Sequence, residues 1–259
     1  MMTKRVIIVI GPARAGTHYY ASELAKLNNA KYVGECRALW EQNLYSPNGR
    51  EKIKRYFNKT VRAQTIVEKT PSNSLRCDDL IKFFPEYHFQ AVIRHPIDCM
   101  ASTIKKMNGN VAKVSEDGTH QNILSKLSKV LSHKLELYGK GFAYDQLNSD
   151  LHLLSKKFSG NYIWGPQYKG IERDLLTCNL HEIAAKQWLY AAKSMIESFE
   201  LSKINRLEDM LSSGNVSISG VLVSSKVLSS KASNNILERL SKKTLNELNT
   251  TASAFRYVL

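Results

Sequence analysis

The chain has 259 residues, and its 37 lysine and arginine residues outnumber 23 aspartate and glutamate residues, for a formal net charge of +14. This length fits one α/β domain with a full core, so we predict a single domain over residues 1–259. The charge favours an anionic ligand but does not separate a nucleotide-like molecule from a nucleic acid. The four cysteines show no paired zinc spacing and do not suggest a disulfide framework, and no run approaches the ~20 apolar residues of a membrane span. With an N-terminal apolar run too short for a secretory signal, we expect a cytoplasmic protein.

The first predicted element is a buried β-strand that runs directly into a loop bounded by glycines. Val6–Ile10 are consecutive apolar residues, mostly β-branched, as in a strand buried on both faces of a parallel sheet. The loop Gly11–Gly16 has the spacing of a phosphate-binding P-loop, but Thr17 and His18 stand where its lysine and hydroxyl residue belong. A helix is predicted from Thr17 to about Leu27, so its first N–H groups would face the loop's contents. The stretch predicts a phosphate or sulfate site, with an ordinary strand-to-helix turn as the alternative.

Two further strand–turn–helix units follow. QTIVEKTPSN at 64–73 predicts a strand ending at Lys69 before a turn, and residues 87–106 predict a strand to Ile93, a turn and a helix through Lys106. Three such units bring polar residues to one edge of a parallel sheet, where ligands of doubly wound folds bind. We therefore predict a three-layer α/β fold with a central parallel sheet flanked by helices.

The remaining sequence predicts helices and one more strand. The lysine- and serine-rich centre, 107–160, is expected to form a helical insert that covers the substrate side of the domain. Residues 180–201 predict a long amphipathic helix, and KINRLEDML at 203–211 predicts a short strand running into a helix. The serine-rich stretch 219–235 predicts a loop before a final helix near 243–256.

Four motifs in chain order resemble sulfotransferases that use 3′-phosphoadenosine-5′-phosphosulfate (PAPS). They are GPARAGT at 11–17, GE at 34–35, EKTPSN at 68–73 and RHPIDCMAS at 94–102. RLED at 206–209 also resembles that family's arginine-tyrosine-glutamate-aspartate element. Each motif is weak alone, but the shared order and spacing are specific. The resemblance covers the first 106 residues closely and 160–211 loosely, and it implies a P-loop-like fold, PAPS as donor co-substrate, no metal, and sulfonate transfer to an acceptor hydroxyl by in-line displacement.

The donor's chemistry accounts for the missing P-loop lysine. A triphosphate needs Mg²⁺ and that lysine, whereas a transferring sulfonate carries a single negative charge, so one cation near the leaving oxygen can suffice. Arg14 lies inside the loop, is always protonated and can hold the 5′-phosphosulfate as a fork donor. The resemblance implies that Arg94 and Ser102 clamp the 3′-phosphate. In all, the donor-binding candidates are Arg14, Ala15, Gly16, Thr17, His18, Arg94, Ser102, Ser230 and Lys231.

The resemblance also implies the catalytic groups, which besides Arg14 are two residues at the sheet edge. Glu35 matches the base glutamate of protein-tyrosine and heparan sulfate sulfotransferases and would take the acceptor's proton. His18 is the rival base, because GTHY resembles the Nod-factor sulfotransferase. Lys69 matches the lysine of the EKTP element in glycan-type enzymes and would donate to the sulfonate and the bridging oxygen. Glu68 is expected to form a structural ion pair, since neighbouring strand residues point to opposite faces.

Three residues are candidates for the acceptor side. Arg37, in GECR, would contact the acceptor or orient Glu35. Trp164 and Tyr168, in a WGPQYKG stretch also found in bacterial members of the superfamily, would wall the acceptor pocket, with core packing as the alternative. Leu207 stands where the family has tyrosine, which puts an aromatic or hydroxyl contact there in doubt. The acceptor stays open among glycan, peptide tyrosine, lipid and small molecule.

Two other classes of function stay open from the sequence. A P-loop kinase-like phosphotransferase would depend on Mg²⁺ and a triphosphate, and the missing lysine argues against it. A non-catalytic basic nucleic-acid-binding protein would bind with an affinity that falls steeply with salt. The lysines are scattered through the insert and the tail instead of forming one stripe, so we expect no nucleic-acid partner.

Overall fold

The fold is built on a parallel β-sheet, seen in a computed structural model that describes residues 4–61, 63–116, 164–212 and 235–259. Its strands are β1 (Arg5–Ile10), β2 (Lys31–Tyr32), β3 (Thr65–Lys69), β4 (His88–Ile93) and β5 (Ile204–Arg206). All pairings are parallel, and the strand order is β2-β3-β1-β4-β5. The predicted α/β fold with a central parallel sheet flanked by helices is confirmed.

Helices connect and cover these strands. In the described ranges they are α1 (Thr17–Leu27), α2 (Arg37–Asn43), α3 (Pro47–Arg55), α4 (Cys77–Phe83), α5 (Pro96–Glu116), α6 (Ile171–Thr177), α7 (Leu180–Ser198), α8 (Leu207–Ser212) and α9 (Lys242–Ala254). The helix predicted to end at Lys106 continues to Glu116. Of the predicted insert, residues 117–160 lie outside the described residues, as do 219–234 of the serine-rich stretch. None of the helices within the described ranges is long and apolar enough to cross a membrane.

The sheet is buried on both faces, which explains the unbroken apolar run of β1. Ile7 and Val9 pack with residues of α1 and α8 on one face. Ile8 and Ile10 pack on the other face in a larger cluster that includes residues of α2, α4, α5, α7 and α9. Because strand residues alternate between faces, every position of such a strand must be apolar.

Two close approaches at the loop after β1 require glycine. A Cβ on Gly11 would lie 2.3 Å from the Val92 carbonyl oxygen, because the loop passes close to the backbone of β4 as it leaves β1. Gly16 has a φ of 76°, and a Cβ there would lie 2.7 Å from a methyl carbon of Leu207. Leu207, at the family's tyrosine position, thus packs against this loop.

Candidate active site

The loop Gly11–Gly16 and the start of α1 form one wall of the candidate site at the carboxyl edge of the sheet. Arg14 has a φ of 66°, an uncommon left-handed conformation for a residue with a side chain. Such backbone strain is found preferentially at functional sites. Within the described residues, no side chain caps the N-terminus of α1, so its first N–H groups stay available to an anion. Inside the loop, the Ala15 N–H donates to the Pro12 carbonyl.

Arg14 reaches from this loop to the helix after β4. Its Nε donates to Ser102 Oγ at 2.7 Å, and its guanidinium carbon lies 5.7 Å from the centre of the Trp164 ring. Two predicted donor-binding residues, 88 positions apart, are therefore in contact, and one predicted acceptor-side residue lies beside them. The cation stays exposed on the sheet edge, where an anionic ligand can reach it.

Arg94 lies at the end of β4 and is held at both its main chain and its side chain. The Trp188 indole Nε1 donates to the Arg94 carbonyl at 3.2 Å. A guanidinium nitrogen lies 3.3 Å from Asp98 Oδ2 one helical turn later. Asp98 therefore orients the guanidinium that the sequence assigns to the 3′-phosphate, whereas Ser102 is engaged by Arg14.

The turn after β4 is held by contacts that the sequence analysis did not predict. Glu208 accepts a hydrogen bond from the His95 backbone N–H at 2.9 Å and another from the Tyr257 hydroxyl at 2.8 Å. The His95 and Tyr257 rings also pack edge to face, with centroids 5.1 Å apart. The RLED glutamate therefore links the start of α8, the C-terminal tail and the turn that carries Arg94. RLED marked Glu208 in the sequence, but no local signal marked Tyr257.

Lys69 and Glu35 form an ion pair at the end of β3. The Lys69 ammonium donates to Glu35 Oε1, and the lysine side chain is 7% exposed whereas the glutamate side chain is 50% exposed. The buried lysine therefore reaches the site only with its head group, and the carboxylate faces solvent. The two residues that the sequence proposes as leaving-group donor and base are in direct contact.

His18 lies beside this pair. The Tyr32 hydroxyl and His18 Nδ1 are 2.8 Å apart, and the two rings pack edge to face at 5.3 Å. Burial and then the positive charge of Lys69 lower the pKa of His18, with Glu35 acting in the opposite direction. A lowered pKa keeps the imidazole neutral near pH 7, so it can accept a proton and stays a rival to Glu35.

Glu68 points to the opposite face of β3 and is completely buried. Its Oε1 accepts hydrogen bonds from the Thr70 hydroxyl and from the Cys36 backbone N–H. The ion pair expected for Glu68 is not found among the described residues, and these hydrogen bonds take its place. Burial raises the pKa of Glu68 to about 7, against the hydrogen bonds to its carboxylate, and the nearby Glu35 charge raises it further.

This raised pKa predicts a pH-dependent stability. Between the ordinary pKa of 4.5 and about 7, folded Glu68 keeps a proton that the unfolded chain releases. The unfolded state binds fewer protons there, so rising pH lowers the free energy of unfolding. Glu68→Gln lacks this titration, and its free energy of unfolding relative to wild type should rise by about 2 kcal/mol between about pH 5 and pH 8. Urea titrations at both pH values measure the difference, and a constant difference would contradict the prediction.

The other predicted site residues either pair with neighbouring side chains or fall outside the described residues. Arg37 Nε pairs with Glu41 at 2.6 Å, one helical turn along α2. Tyr168 is buried, donates to Asp174 Oδ2 at 2.8 Å and stacks on Tyr190. Ser230 and Lys231 lie outside the described residues.

Comparison with models of known protein families gives a match. A model of the sulfotransferase family matches residues 13–144, about half of the chain. The chain belongs to the sulfotransferase family. A search of curated proteins and of solved structures found no significant match.

Family membership supports sulfonate transfer as the general activity of this sulfotransferase, and it implies a P-loop-like fold for the parallel sheet. It also implies an acceptor that bears a hydroxyl group. The match includes the Arg14–Ser102 contact and the Lys69–Glu35 pair. The residues that form these two contacts are therefore the natural starting point for a mechanism.

Proposed function

We propose that this sulfotransferase moves the sulfonate of PAPS to an acceptor hydroxyl by direct in-line displacement, without a metal. The observation that carries the proposal is the contact between the Lys69 ammonium and Glu35, at the same sheet edge as the exposed Arg14 guanidinium. A base and two cations are thus close to the P-loop-like loop. This is the set of groups that transfer of an anionic sulfonate from an anionic leaving group requires.

The donor carries two separate anionic groups, and the sheet edge offers two places for them. The 5′-phosphosulfate fits the uncapped N-terminus of α1, with Arg14 as its cation. The 3′-phosphate fits Arg94, which Asp98 orients at the start of α5. Ser102 accepts a hydrogen bond from Arg14, so its own hydroxyl proton remains available for donation to either anion.

The reaction needs one proton transfer and one bond exchange. Glu35 takes the proton of the acceptor hydroxyl while the acceptor oxygen bonds to sulfur. The bond from sulfur to the bridging oxygen breaks, and its electron pair stays on the 5′-phosphate of the leaving 3′-phosphoadenosine 5′-phosphate. Lys69 donates to that oxygen as its negative charge grows, and Arg14 stabilises the same anion. A metal has no required task in this scheme, because the two cations carry the charge stabilisation.

A binding experiment tests the donor assignment. Calorimetry without Mg²⁺ should show 3′-phosphoadenosine 5′-phosphate binding more tightly than AMP, since only the former has a 3′-phosphate for Arg94. Arg94→Ala should weaken its binding by ~10–100-fold, the size expected for lost hydrogen bonds to a charged group, and should leave AMP binding nearly unchanged. Arg55→Ala, which removes an exposed arginine at the end of α3, is the matched control and should change neither affinity.

Two outcomes would reject the assignment. Equal affinity of the wild type for 3′-phosphoadenosine 5′-phosphate and AMP would show that no 3′-phosphate site exists. Turnover of Mg²⁺–ATP with phosphate transfer to an acceptor would instead support the kinase-like alternative.

A further inference from the structure

The segment that carries Glu35 is held by the end of β3 on both of its sides. Before Glu35, the Gly34 carbonyl accepts from the Lys69 backbone N–H at 3.1 Å. After it, the Cys36 backbone N–H donates to Thr70 Oγ1 at 3.0 Å and to Glu68 Oε1 at 3.3 Å. Three consecutive residues at the end of β3 and in its following turn therefore hold the two residues that flank the proposed base.

Cys36, after Glu35, is held by the side chains of Glu68 and Thr70, whereas Gly34, before it, is held by a backbone–backbone hydrogen bond. Cys36 is the N-terminal capping residue that precedes α2, and its own side chain makes no capping hydrogen bond. Cys36 is completely buried, so loss of the Glu68 and Thr70 acceptors would remove hydrogen bonds from its backbone N–H in a place that water does not reach. The Thr70 hydroxyl also donates to Glu68 Oε1, so the two acceptors of this N–H stabilise each other.

Burying the Glu68 carboxyl group destabilises the fold, so its presence beside the Cys36 N–H indicates that this contact has a role. Glu68 is 0% exposed, and its second oxygen, Oε2, lacks a hydrogen-bond partner among the described residues. A buried carboxyl group of this kind costs stability unless it is fully hydrogen-bonded. The charged or polar groups that face it are Glu35, Arg76, the Tyr32 hydroxyl and the Trp40 indole N–H, from the loop after β2, the turn before α4, β2 and α2. Glu68 forms no ion pair within the described residues, and its hydrogen bonds are those to the Thr70 hydroxyl and the Cys36 N–H.

We propose that Glu68 is a positioning residue, which with Thr70 holds the Cys36 amide and thereby sets the place of the Glu35 carboxylate. The proposal rests on the proposed role of Glu35 as base. Glu68 points to the face of β3 opposite to that of Lys69 and is buried there, so it acts on the site through the segment around Cys36. Its loss should therefore slow the chemical step without removing the donor site.

The test uses two variants that break the same contact and one that makes a similar change elsewhere. Glu68→Met removes the acceptor at similar side-chain volume, and Thr70→Val removes the hydroxyl. Thr65→Val, at the opposite end of β3, is the control. The first two should lower kcat by ~10–100-fold, the loss expected when a catalytic group is displaced by about an ångström, with little change in the affinity for 3′-phosphoadenosine 5′-phosphate. Glu68→Gln, which keeps an acceptor oxygen, should recover most of kcat, and the control should match wild type.

A second measurement needs no activity. Hydrogen exchange of the Cys36 amide, followed by NMR, should be faster in Glu68→Met and Thr70→Val than in wild type and in Thr65→Val. Unchanged exchange in both variants, or full kcat in both, would overturn the proposal even if Glu35 is the base. Equal losses of kcat and ligand affinity would also overturn it, since they would indicate general damage. Full activity of Glu35→Gln would reject the base assignment itself, whereas the exchange result would still report on how Glu68 holds the segment.

Discussion

Glu35→Gln is expected to lower turnover by ~10²–10⁴-fold while the affinity for 3′-phosphoadenosine 5′-phosphate stays nearly unchanged. Glutamine preserves the shape of the side chain and leaves a carbonyl oxygen that can accept from the buried Lys69 ammonium. It cannot accept the acceptor's proton. The substitution therefore removes the proposed chemistry without leaving a buried cation unpaired, and steady-state rates with calorimetry on the same sample separate the two effects.

The size of this loss should depend on the acceptor. An alcohol acceptor with a high pKa needs its proton removed by a base, so Glu35→Gln should slow it most. An activated phenol loses its proton readily, so it should be slowed much less. Comparing one acceptor of each kind distinguishes a lost base from a distorted site, since distortion would slow both alike.

His18→Asn is the control for the identity of the base. His18 is close enough to be influenced by both Lys69 and Glu35, and Tyr32 holds its ring. If Glu35 is the base, His18→Asn should keep most of the activity. An inactive His18→Asn with a fully active Glu35→Gln would assign the role to His18. Full activity in both variants would contradict the proton-transfer part of the mechanism.

The second large effect is expected from Lys69→Met, which should lower kcat by ~10²–10³-fold, as removal of an oxyanion-hole donor does. Methionine fills the buried space of the lysine stem, so a cavity does not confuse the result. The Glu35 carboxylate left without its partner is half exposed and can be solvated, so the variant should fold. Single-turnover rates with saturating PAPS report the effect on the chemical step.

Lys52→Met is the matched control for this variant. Lys52 lies on the exposed face of α3, and the same substitution there should leave kcat unchanged. A Lys69→Met variant that loses only donor affinity, at an unchanged rate from the bound state, would show that Lys69 binds the donor without stabilising the leaving group.

Several parts of the fold were predictable because their signals are local. Three of these signals each occupy one short stretch of sequence: the apolar run of β1, the spacing of glycines in the following loop and the helical pattern from Thr17 to Leu27. The strand ending at Lys69 and the strand ending at Ile93 carry the same kind of signal. Parallel strands bring their carboxyl ends to one edge, so the sequence also predicted that the polar residues after them would be neighbours.

The sequence by itself determined the fold class, the sulfotransferase motifs and the set of polar residues available to the site. Tertiary structure alone decided the partners of Arg14 and Lys69, because their contacts join residues far apart in the chain. Arg14 meets Ser102 across 88 positions, and Lys69 meets Glu35 across 34. The sequence analysis placed Ser102 and Arg94 together on the 3′-phosphate. In the structure Ser102 contacts Arg14, and Arg94 contacts Asp98. Glu68 was expected to make an ion pair, but the buried side chain instead accepts hydrogen bonds, one of them from the segment around Glu35. Its burial depends on how the helices cover the sheet, and no local sequence pattern encodes that.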